Sequence, residues 1–284
     1  MNTLKSIWVA LIMLSVGTAQ CESATLEANL AASHDNQTIE VTGYEYIKGL
    51  SVTKNVTIVG TDDNATIDGS YLEHIPAIGD RNRSTIVTFK DLVVRNCSRF
   101  YTTANLVIDH CRFIGSDLEA NNCTLLIKNS TFEHSVNGNP IGFGGAASLD
   151  KVAGIFDHCK FIKNSAYRSG DWNGGSGGAL WVRNSTIALI DPEIRENKAC
   201  TGGGLCVIDS TIMVYGGNIA DNHALEVNIP TAKFGGIGAA IDVIGKSKVV
   251  LAGTSITGNH GDHEPSIAVE QNSDLRIIGS QAEP

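Results

Sequence analysis

Residues 158–166 read HCKFIKNSA, and the cadence of that stretch returns along the chain. It recurs as CRFIGSD (111–117), NSTFEHS (129–135), DPEIRENKA (191–199), GGNIADNHA (216–224) and GTSITGNHG (253–261). Each copy has an apolar residue, two variable positions, then Asn or Ser. The anchor pairs are Phe113/Ser116, Phe132/Ser135, Phe161/Asn164, Ile194/Asn197, Ile219/Asn222 and Ile256/Asn259, with a degenerate earlier copy at Val93 to Asn96. Short alternating stretches precede most anchors (LVIDH, LLIKN, STIALI, STIMVY, KVVLAG). Gly-rich openings of another strand follow several: GGAA (144–147), GGALWV (177–182), GGGLCV (202–207) and GIGAAI (236–241).

Strands this short cannot bury a core alone, but coils stacked about 4.8 Å apart pair each strand with its equivalent in the next coil. Small residues suit the corners where backbones crowd. Asn repeated at one corner, at Asn164, Asn197, Asn222 and Asn259, can form a ladder of side-chain amides. Phe and Ile at the anchors would form an internal apolar stack. Unrelated strands of a sandwich would not recur in side-chain identity, so the repeats predict an all-β parallel β-helix solenoid. Residues 24–34 can place Leu26 and Leu30 on one helical face, a cap for the first coil. The final stretch, SIAVEQNSDLRIIGS, supplies a last coil whose open edge is expected to allow self-association.

The composition agrees. Of 284 residues 30 are Gly, while charged residues are 18% and aromatics 6%, a low charge content for a globular chain. A net charge of -9, with no basic stripe, excludes nucleic-acid binding. Met1 to Thr18 pairs one lysine with an apolar run too short to span a bilayer, and reads as a secretory signal. Residues 1–21 are therefore expected to be removed. Residues 22–284 would form one domain, the 24–34 helix plus coils over 35–284, secreted or at a cell surface without a transmembrane segment. Cleavage after Cys21 leaves six cysteines, and cleavage after Ala19 leaves seven. The secretory route permits disulfides, and Cys200 with Cys206, across CTGGGLC, is the local candidate pair. Sequons begin at Asn36, Asn55, Asn64, Asn82, Asn96, Asn122, Asn129 and Asn184. That is more than 22 Asn and 43 Ser plus Thr would give by chance, and it points to glycosylation, with repeat-built adjacency as the other reading.

These motifs resemble the pectin-lyase-like right-handed β-helix superfamily. More narrowly, Gly177-Gly178-Ala179-Leu180 and Phe161 to Asn164 are similar to the GGA(I/L) and FxxN repeats of chlamydial polymorphic outer membrane proteins. Looser copies lie at Gly144 to Ala147, Gly202 to Leu205, Ile194 to Asn197, Ile219 to Asn222 and Ile256 to Asn259. The repeat match spans 88–262, and the superfamily's opening helix and "vtIvG … tIdG" pattern is matched at 24–69. The resemblance implies the right-handed coil and a role in surface exposure, adhesion or immune interaction. No β-barrel transporter follows, unlike in the bacterial family.

Catalysis has less support than binding. Asp62-Asp63 sits in a turn sequence. Asp109-His110 in LVIDHCRF resembles a pectate-lyase stretch, yet it recurs as Asp157-His158 in GIFDHCKF and so reads as a repeat position. The RxPxxR, NTD and GHG motifs of polysaccharide-cleaving relatives are absent. No catalytic residue, cofactor or metal is assigned, and Asn259 to Glu264, with two His and two acids, reads as a loop. Insertions at 136–143, 165–176, 198–201 and 223–234 all follow one corner, so they should stack into a single surface. Within it Tyr167, Arg168, Asp171 and Trp172 have the composition of a contact site for a cell-surface protein or glycan. Since only Trp8, Trp172 and Trp181 occur, no long aromatic platform is expected. A polysaccharide lyase or hydrolase and a structural coat component remain the other readings.

Overall fold

A computed structural model describes residues 25–79, 84–137, 142–166, 175–229, 232–263 and 265–282. The chain is a right-handed parallel β-helix with one short helix at its amino-terminal end. Three parallel sheets run its length, holding ten, ten and nine strands among the described residues. Successive first-sheet strands open at Gln37, Val56, Ile86, Asn105, Thr124, Ala153, Thr186, Thr211, Lys248 and Asp274. One coil therefore takes as few as 19 residues, from Asn105 to Thr124, and as many as 37, from Thr211 to Lys248.

The helix, Leu26–Ala32, is too short to persist alone. The Thr25 hydroxyl accepts the Ala28 N–H at its start, and Leu26 and Leu30 are buried against the first coil. Glu27 binds it there, accepting the backbone N–H groups of Lys48 and Gly49 at 2.7 and 2.9 Å.

Alternation along each strand sorts residues into core and outer face. In the second sheet Ile67, Val94, Phe113, Phe132, Phe161, Ile194, Ile219 and Ile256 lie in register, all buried. The Phe113, Phe132 and Phe161 rings stack at 4.7 and 5.4 Å. This register corrects the earliest repeat by one position. Val94 pairs with Phe113, and the Cys97 N–H donates to Ser116 Oγ, so the copy is Val94 to Cys97 rather than Val93 to Asn96. Asn96 instead takes the left-handed turn, with φ 55°.

Left-handed residues recur at all three corners, and Asn is among the few non-glycine residues that accept this conformation readily. Of the eight sequon asparagines, Asn36, Asn96, Asn122, Asn129 and Asn184 have positive φ. The fold thus supplies a conformational reason for them, separate from any modification. The glycines of the GGA motif meet a stricter demand. Gly177 has φ 72°, and a Cβ on Gly178 would lie 2.0 Å from the Gly203 carbonyl oxygen.

Buried side chains satisfy the corner backbone. Asn164 Nδ2 donates to Asn197 Oδ1, Asn197 to Asn222 and Asn222 to Asn259, at 2.9–3.0 Å. Each of the four also donates to the carbonyl of a coil before it: Phe132, Phe161, Ile194 and Ile219. A serine ladder, not expected from the repeats, does similar work at the corner leading back to the first sheet. There the Val152, Ser185 and Ser210 N–H groups donate to the hydroxyls of Ser185, Ser210 and Ser247.

The expected Cys200–Cys206 disulfide is not formed. Among the described residues all six cysteines are buried thiols. Cys200 packs against Gly235, while Cys206 is a third-sheet residue in register with Trp181 and Asp242. Burial raises every one of these thiols, that of Cys159 to about 12. They stay protonated and unreactive at neutral pH.

Candidate functional site

The chain leaves the short strand after the second sheet along one line and returns to the third along another. Val136, Ser165 and Lys198 bridge in register, and the line continues through His223 and His260. Phe143, Ser176, Thr201 and Ile237 bridge in register on the return. The departure and return points of four successive coils therefore line up along the same side of the solenoid. Tyr167, Arg168, Asp171 and Trp172 lie outside the described residues.

The returning segments cover the outer face of the third sheet. Ser148, Trp181, Cys206 and Asp242 occupy one outward column there. Trp181 is nevertheless only 4% exposed, because the Phe143 ring stacks on it at 4.5 Å and 7°. The Arg183 guanidinium lies 5.0 Å from the indole, within cation–π range. Arg183 is held in turn by a two-pronged contact to Asp150, at 3.2 and 2.8 Å. That contact, with Asn184, keeps the Asp150 carboxyl below its ordinary value.

Further along the column Asp242 is 3% exposed, and burial pushes its carboxyl up to about 6 against the Thr201 hydrogen bond. Cys206 beside it is raised by burial and by Asp242. Glu270, which adds to the Asp242 shift, accepts the Gly245 N–H. A protonatable acid beneath a loop wall is a feature of many active sites. Here its neighbours are the buried Cys206 thiol and the Glu270 carboxylate. The repeats carried a signal for it: in GGALWV, GGGLCV and GAAIDV, Trp181, Cys206 and Asp242 fill the same slot.

The other candidate residues are dispersed. Asp109 and Asp157 point outward on the first sheet with Lys128 between them in register, and Lys90 precedes Asp109. Each aspartate pairs with its neighbouring histidine, at 2.8 and 2.7 Å. The column Lys90, Asp109, Lys128, Asp157 is an alternating charge ladder between adjacent strands. Asp62 accepts the Gly43 and Asn64 N–H groups in its turn. His260 stands against His223, and His263 pairs with Glu226. Among the described residues no three His, Cys, Asp or Glu side chains converge as metal ligands. Asn36, Asn64 and Asn184 are exposed and Asn55 half-buried, while Asn82 lies outside the described residues. Among the described residues no helix is long and apolar enough to cross a membrane.

No protein-family profile matches the chain, and no curated protein matches it. Among solved structures, ORF18 of Geobacillus virus E2 is similar over 86% of this chain and 51% of its own, with 10% identity and a TM-score of 0.33. The chain thus spans about half that protein's length. The parallel solenoid stands on its own strand register.

Proposed function

We propose that this β-helix is a non-catalytic binding protein that engages a cell-surface protein or glycan through its loop-built side. One observation carries the reading: departures at Val136, Ser165 and Lys198 and returns at Phe143, Ser176, Thr201 and Ile237 stack in register. Successive loops on a rigid scaffold then form one extended surface, the usual way a solenoid presents a contact area. The likeness to adhesin-type repeats agrees with that role, and secretion of residues 22–284 after loss of 1–21 is part of the proposal. The reading is tested by measuring the mature chain and the Arg168→Ala/Trp172→Ala variant against intact cells and an immobilised glycan array. We expect about a tenfold loss of binding with unchanged thermal unfolding. Equal binding by the two proteins would reject the loop surface. Release of unsaturated uronate from polysaccharide in a parallel assay would replace the reading with a lyase.

A further inference from the structure

At the amino-terminal end of the second sheet three of the chain's six tyrosines meet. Tyr44 and Tyr46 alternate on the outer face of the strand Tyr44–Tyr46, and Tyr71 follows the strand Thr66–Asp68 of the next coil. Their rings form a row with centroid steps of 4.9 and 5.3 Å, tilted at 52° and 61°. All three are exposed, at 45%, 57% and 64%. Tyr46 and Tyr71 therefore add little to the core, and their exposure calls for another explanation.

A rigid polar array lies beside the rings. Asp68 is buried, and its carboxylate accepts the Tyr44 hydroxyl, the Ser70 N–H at 2.7 Å, the Ser70 hydroxyl at 2.5 Å and Asn96 Nδ2 at 3.1 Å. Burial pushes this carboxyl up, but those hydrogen bonds outweigh it and hold it at about 2. Arg95 Nε stands 3.7 Å from Asp68, buried and without a hydrogen-bond partner. The rest of its side chain reaches solvent, 42% exposed.

We infer that the Tyr44, Tyr46 and Tyr71 rings, with the Arg95 guanidinium, form a binding subsite for a neutral oligosaccharide. Three features favour that ligand class. The rings offer apolar faces to sugar C–H groups, while the Arg95 guanidinium offers hydrogen bonds at their edge. Asp68 neutralises Arg95, which removes net attraction for an anion. Three tyrosines and one arginine are far fewer than the roughly 20–30 residues that each partner contributes to a typical protein–protein interface. Two ring-to-ring steps give room for two joined sugar rings. This subsite lies on the second sheet, apart from the loop-built side, and does not rest on the function proposed for that side.

Titration of the full chain with cellohexaose, maltohexaose, xylohexaose, mannohexaose and chitohexaose, followed by tyrosine fluorescence and calorimetry, tests the inference. At least one sugar should bind with a dissociation constant below about 10 mM. Tyr46→Ala/Tyr71→Ala should weaken that sugar about tenfold, while Tyr46→Phe/Tyr71→Phe keeps it within about twofold. Arg168→Ala/Trp172→Ala should leave it unchanged, which separates this subsite from the loop surface. Absence of binding by all five sugars at about 10 mM overturns the inference. So does binding that survives the double alanine variant, whose fold is checked by circular dichroism.

Discussion

The outer faces of the first and third sheets alternate in the same way and end in opposite environments. On the first sheet Val107, Leu126, Ile155, Ala188, Met213 and Val250 form an outward apolar column that is open to solvent, with Ile155 43% exposed. On the third sheet the equivalent outward positions Trp181, Cys206 and Asp242 are buried as completely as the core. The strands do not differ in kind. Among the described residues, returning segments at Phe143, Ser176 and Thr201 lie over this part of the third sheet, so Trp181, Cys206 and Asp242 become interior. Position on a strand decides which way a side chain points; the neighbouring corner decides whether water reaches it.

The largest expected effect tests that contrast where the cover is tightest. Trp181→Ala should lower unfolding free energy by about 3–5 kcal/mol, because it empties the space beneath Phe143 and Arg183. Chemical denaturation measures this, and a loss below about 1 kcal/mol would mean that the cover does not shield the face.

Asp242 should make the covered face sensitive to pH. Its folded value of about 6 lies above the ordinary 3.8, so the folded state binds the proton more tightly. Stability from this group is fully present below about pH 4, falls as pH rises to about 6, and stays reduced above, by about 3 kcal/mol. Asp242→Asn should remove about half of the fall between denaturation curves recorded at pH 4 and pH 7. Part of the fall would persist through Asp117, whose burial also raises it to about 6.

A smaller effect should come from the corner beneath the loops. Asn197→Ala leaves the Asn164 side chain and N–H without their shared acceptor, and takes the side-chain donor from Asn222 Oδ1 and from the Phe161 carbonyl. The expected cost is about 1–3 kcal/mol, with amide exchange rising first around residues 164 and 222. The smallest effect belongs to the open face: Ile155→Thr should change stability by no more than about 0.5 kcal/mol. A larger loss would show that this column is covered too.

The anchor stack could be read ahead of the structure because each anchor contacts its own equivalent one coil away, so identity recurs with the repeat. The same holds for the Asn side chains. The loop wall was legible only as a corner, because its insertions share no sequence with one another. Cys200 and Cys206 misled because closeness along the chain says nothing about whether two thiols meet. Tyr44-x-Tyr46 carried a period-two signal that a count of tryptophans could not register. Its meeting with Tyr71, 25 positions beyond Tyr46, depends on how the coils stack.

By itself the sequence determined the parallel solenoid, its helix cap, its internal Phe and Ile stack and the corner demand for Gly and Asn. All of these are local patterns repeated at a short range of coil lengths. Only the tertiary structure decided which outward residues are solvent-exposed, since that depends on segments arriving from neighbouring coils. It made Trp181 and Asp242 interior, left Ile155 bare, left the thiols unpaired and gathered three tyrosines beside Arg95. Burial and proximity belong to the packed coil, and strand periodicity carries neither.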